Sequence, residues 1–94
     1  MRVMLKAQPD VELGNRAIEE RTLGDIVTSV TDLVKPEAFY VGPEDGTRTL
    51  FMVFEVEDSS EIVKVTEPFF SKLKAKVELL PVMNQAELLK GLGV

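Results

Sequence analysis

Ninety-four residues, 45% of them apolar and 29% charged, suit one folded domain rather than a disordered chain. A net charge of −5 speaks against nucleic acid and anionic membrane surfaces as partners, since both select basic stripes. The chain has neither cysteine nor histidine, which excludes disulfides and thiolate sites and removes the commonest general base and metal ligand, so no cofactor is expected.

Arg2 to Gln8 reads as a strand, with Val3, Leu5 and Ala7 on one face and Arg2, Met4 and Lys6 on the other. Lys6 arrives too early for a secretory signal, and no apolar run approaches the roughly 20 residues that span a bilayer. The expectation is a soluble, cytoplasmic, acidic protein. Pro9-Asp10 ends the strand, and residues 12–20 allow a short helix that Gly14 weakens. Thr22 then reads as an N-cap, with Asp25 as its capping-box partner. Leu23, Ile26, Val27, Val30, Leu33 and Val34 follow at helical spacing, and Pro36 stops the helix.

Residues 38–42 and 49–56 read as two more strands around Glu44-Asp45-Gly46-Thr47. Asp-Gly supplies the positive φ angles of a type I′ hairpin turn. With a two-residue loop, Tyr40 opposes Phe51 and Phe39 opposes Met52. A four-residue loop, 43–46, shifts the pairing by two and leaves the faces unchanged. One face therefore carries Phe39, Val41, Leu50, Met52 and Phe54; the other carries Ala38, Tyr40, Phe51, Val53 and Glu55.

Asp58-Ser59-Ser60 offers an N-cap to a helix bearing Ile62, Val63, Thr66, Phe69, Phe70 and Leu73. Pro68 predicts that this helix stops near Thr66 and continues as a kinked turn. Residues 75–83 alternate as a fourth strand, with Pro81 confining its end to an edge or bulge. Asn84 and Glu87 form a second capping-box pattern before a short helix ending at Gly91.

The order β-α-β-β-α-β plus a terminal helix predicts an α+β, ferredoxin-like domain over residues 1–94, with a four-stranded antiparallel sheet whose first and third strands are central. The richer face is assigned to the helices. The other face still holds Tyr40, Phe51, Val53 and Met4, where a solvated face should read as polar. Burying about 600 Å² of apolar surface there would contribute about 15 kcal/mol gross, before ordering costs. A homodimer with sheets face to face is the expected partner arrangement. Lys6 and Glu55 share that face and are expected to pair between neighbouring strands.

Gly14-Asn15-Arg16-Ala17-Ile18, Lys35-Pro36-Glu37-Ala38-Phe39-Tyr40, Glu67-Pro68-Phe69-Phe70 and Pro81-Val82-Met83 resemble a family of short, functionally uncharacterised bacterial proteins. That family resembles the dimeric α/β-barrel superfamily, in which two ferredoxin-like sheets form one barrel. The resemblance implies a pocket between sheet and helices. It also implies a range of activities, from cofactor-free monooxygenases and isomerases to members without known activity.

Four residues are candidates for such a pocket. Asn15 and Arg16 are the ligand-binding pair, able to hold a carboxylate, or else a cap and a solvated arginine. Tyr40 is a catalytic candidate as a donor to an oxyanion, or else an interface aromatic. Glu67 is a second, as a proton shuttle raised in pKa by Phe69 and Phe70, or else a surface residue. Glu37 either ends a strand or enters the pocket. The acidic run at 55–58 reads as a solvated strand end without metal-site spacing. Two functions fit: a cofactor-independent enzyme of isomerase or monooxygenase type acting on a hydrophobic metabolite, or a non-catalytic small-ligand-binding or dimerisation module. A cavity of about 300 Å³ with two converging candidates separates them.

Overall fold

Strand β1 (Arg2–Gln8) alternates between half-buried and buried residues along its whole length. That period sets the two faces of the sheet in the computed structural model, which describes residues 1–94. The elements that follow are α1 (Val11–Glu19), α2 (Leu23–Val34), β2 (Ala38–Glu44), β3 (Thr47–Glu55), α3 (Glu61–Leu73), β4 (Lys76–Pro81) and α4 (Gln85–Leu92). The four strands pair antiparallel in the order β2-β3-β1-β4, so β3 and β1 are central.

The β2–β3 hairpin has a two-residue loop, with Glu44 opposite Thr47 and Asp45 and Gly46 at φ 53° and 74°. Both central residues carry the positive φ that a type I′ turn requires. Tyr40 lies opposite Phe51 and Phe39 opposite Met52. β2 runs through Pro43, two residues past its expected end, because an edge strand has one side where a missing N–H costs no ladder bond.

Helices α1, α2 and α3 cover the face made by Val3, Leu5, Ala7, Leu50, Met52 and Phe54, and Val30, Val65, Phe69 and Leu73 fill the layer between. The richer face does meet the helices. Val41 is the exception: it belongs to that face yet stays 64% exposed, since the helices do not reach the β2 edge.

Two local expectations fail, each for a physical reason. Thr22 does occupy the N-cap position of α2, but its side chain makes no cap bond and no box forms with Asp25; its backbone is helical and its hydroxyl donates back to the Ala17 carbonyl at 3.4 Å, closing α1. Pro68 does not end α3, which continues to Leu73. A mid-helix proline costs about 3 kcal/mol. Val65, Phe69 and Leu73 line one stripe of that helix and are essentially fully buried, at about 1.5–3 kcal/mol each. Burial outweighs the proline, and Lys64, whose carbonyl loses its donor, is exposed to water. α4 keeps its expected capping box but ends at Gly93 in the left-handed region, not at Gly91.

Candidate functional site

Strand register divides the helix-free face into rows. Ala38, Val53, Met4 and Leu80 oppose one another in one row; Tyr40, Phe51, Lys6 and Glu78 form the next. The first row is wholly apolar. The second places two aromatics beside a charged pair. Tyr40 is 72% exposed there, while Phe51, Val53 and Met4 are half-buried. Toward the hairpin end the face turns polar. Lys6 Nζ donates to Glu44 Oε1 at 2.6 Å, and Gln8 Nε2 donates to Thr49 Oγ1 at 3.0 Å. Thr49 is fully buried and donates in turn to the Thr47 carbonyl at 2.9 Å. The hydrogen bond to Glu44 holds the Lys6 ammonium above its ordinary pKa of 10.5, against the opposing cost of burial. Glu44 Oε2 is shielded from solvent and has no hydrogen-bond partner.

Lys6 therefore pairs with Glu44, not with Glu55 as expected. Glu55 instead meets the N-terminal ammonium. Register explains the correction: Arg2, not Lys6, lies opposite Glu55. Glu44 is hidden in the sequence because its Glu-Asp-Gly context reads as turn; extending the alternation of β2 from Tyr40 by four residues places it on this face.

The cavity expected between sheet and helices is a notch of about 60 Å³ with a mostly apolar lining, bounded by Ala7, Leu23, Val27, Leu50 and Phe69 near the β2 edge, with Arg48 and Thr49 beside them. None of Asn15, Arg16, Tyr40 or Glu67 lines it. Arg16 instead borders a shallow outer groove of about 480 Å³ between α1 and α2, with Glu20, Thr22, Asp25, Ser29 and Lys72. Its cations and carboxylates are mixed, so it presents no net field for one ligand charge. Asn15 Oδ1 accepts from Arg48 Nη1 at 2.8 Å. Glu67 is exposed on α3, its carbonyl accepting from Ser71 Oγ at 2.8 Å. Tyr40 stands on the opposite side of the sheet from Glu67 and Arg16. The four candidates are thus spread over both faces of the molecule. Glu37 lies just before β2: its N–H donates to the Val53 carbonyl and its carboxylate accepts from Arg2 Nε. The acidic run is also structural, since Asp58 Oδ1 accepts from Ser60 N at 2.9 Å, and Glu61 Oε1 accepts from Asp58 N at 2.8 Å.

No helix of the protein is long and apolar enough to cross a membrane. A family model described as "Domain of unknown function (DUF3303)" matches residues 3–93. No curated protein matches the chain. Among solved structures it is similar to the de novo designed protein Ferredog-Diesel, with a TM-score of 0.52 and 9% identity over 86% of this chain and 85% of that one. At that identity the likeness concerns the α+β fold alone.

Proposed function

The chain belongs to the DUF3303 family, a domain family of unknown function, and from that premise we propose that it acts as a homodimerisation module joined through the open sheet face. The carrying observation is the pair of rows with Tyr40, Phe51, Val53, Met4 and Leu80 on a face that no helix covers. An antiparallel sheet facing water carries polar residues on that side; the row of Ala38, Val53, Met4 and Leu80 carries none, and Tyr40 and Phe51 extend it. Two copies related by a two-fold axis bring the same rows together and leave the Lys6–Glu44 pair toward the rim of the contact. The dimeric α/β-barrel arrangement is the corresponding architecture.

The catalytic alternative, an isomerase or monooxygenase working through Tyr40 and Glu67 with Asn15 and Arg16 holding a hydrophobic substrate, needs a pocket of about 300 Å³ or more. The notch between sheet and helices is about 60 Å³. The polar candidates lie on different surfaces, so geometry favours assembly over catalysis.

Sedimentation of the full chain at micromolar concentration tests this reading. The expected species has twice the 10.5 kDa chain mass. Tyr40→Asp places a charge in the second row without touching the core; losing an anchoring aromatic from an interface costs about 2 kcal/mol or more, so the dimer should weaken by about thirtyfold. A wild-type protein that sediments only as the 10.5 kDa chain refutes it.

A further inference from the structure

α4 is the one helix that buries no residue. Leu88, Leu89 and Leu92 are exposed along it, with Met83 before it and Val94 after it. Yet both of its ends are closed. Asn84 Oδ1 accepts from Glu87 N at 2.8 Å and Glu87 Oε1 accepts from Asn84 N at 3.0 Å, while Gly93 at φ 77° returns its N–H to the last turn. A helix of eight residues does not hold by itself in water, caps or not, because nucleation costs more than so few bonds return. The element is finished at its ends and unfinished along its side.

The shape of the molecule agrees. Its principal extents are 51 × 28 × 17 Å and its radius of gyration is 14.6 Å, against about 12 Å for a compact domain of this length. α4 is an arm, and its position is held. Arg2, on the open sheet face, bonds both Glu87 of α4 and Glu37 before β2, and Val82 N donates to the Arg2 carbonyl at 3.1 Å. The arm therefore leaves from the margin of the open face, where the Arg2 ion pairs to Glu87 and Glu37 stand between its helix and the apolar rows of the sheet.

Area decides what covers the arm and the open face. Four strands about 4.8 Å apart and seven residues long give a sheet footprint of about 19 by 23 Å, or about 440 Å². A stable interface takes about 800 Å² from each partner, and half of this face is polar, so its apolar part falls well short of the about 600 Å² expected from the sequence. The sheet alone falls short. A two-fold axis adds the arm twice, once from each copy.

We propose that α4 clasps a second copy of this chain, packing Leu88, Leu89 and Leu92 on it and extending the sheet contact beyond the end of β4. The identity of the partner rests on the sheet-to-sheet reading above. The test is a sedimentation dilution series on three full-length variants. In Leu88→Glu/Leu92→Glu the leucine face is charged; Lys90→Glu changes the net charge equally from another side of the helix; Tyr40→Asp alters only the sheet. All four residues are exposed, so the core is untouched. The double variant should raise the dimer dissociation constant at least about tenfold, as the loss of an interface anchor does, with Lys90→Glu within about twofold of wild type. A double variant no weaker than Lys90→Glu overturns the clasp; if Tyr40→Asp still dissociates, the sheet reading stands. The reverse pattern keeps the clasp and overturns the sheet reading. A monomeric wild type overturns both.

Discussion

α3 and α4 invert each other. α3 carries a proline at its centre and has no side-chain cap at Ser60, yet it runs thirteen residues because Val65, Phe69 and Leu73 are buried. α4 has a complete capping box and a left-handed glycine at its end, yet nothing in its own chain covers it. Local sequence chemistry argues for α4 and against α3; packing within the chain does the opposite. The contrast shows that a buried stripe overrides local propensity, and that good caps without a buried stripe mark a helix awaiting a surface.

The largest test of this contrast is a matched pair of truncations. Phe69→Ala should destabilise the domain by about 3–5 kcal/mol in urea unfolding, since it empties a fully buried aromatic site. Leu89→Ala, assayed under conditions where the chain is monomeric, should cost less than about 0.5 kcal/mol. Equal losses would mean that α4 is packed as tightly as α3.

A smaller effect is expected at the α4 cap. Asn84→Ala removes the acceptor for Glu87 N, a change that costs about 1 kcal/mol of helix stability. Faster amide exchange confined to α4, with an unchanged unfolding midpoint for the rest, is the expected readout. A shift in the global midpoint would show α4 cooperating with the core.

The smallest effect concerns the start of α3. The backbone hydrogen bond from Ser60 holds the Asp58 carboxyl below its ordinary value of 3.8. A depressed carboxyl contributes stability that is present above pH 3.8 and lost as pH falls through its folded value. The urea midpoint of wild type should therefore drop further than that of Asp58→Asn between pH 5 and pH 3, modestly, because the group is exposed. Parallel curves would remove Asp58 from the account of α3.

Period-two alternation makes both faces of β1, β2 and β3 legible in the amino-acid order itself. Asp45-Gly46 sets the hairpin loop, and the loop sets the register that places Tyr40 beside Phe51. The Asn84–Glu87 box is legible because both partners lie three residues apart. The failures all involve distant or competing partners. Thr22 has two acceptable roles, and only the position of Ala17 selects one. Pro68 is a stop signal until the burial on either side of it is known. The pairing of Lys6 with Glu44 spans two strands, and the open notch beside Phe69 follows from how the helices sit. The candidate site is the least legible part: Asn15, Arg16, Tyr40 and Glu67 share residue types suited to chemistry, and the fold distributes them over separate surfaces.

The sequence by itself points to an α+β fold, to strands with a defined inner and outer face, and to an outer face that carries a wholly apolar row. These follow from local periods and turn chemistry, which act between residues close in sequence. Tertiary structure decides that α3 survives its proline, that the space between sheet and helices closes to a notch of about 60 Å³, and that α4 stands uncovered beside the open face. Those outcomes depend on close packing between elements distant in sequence, where a methylene's difference in fit decides whether a gap closes or a helix finds cover.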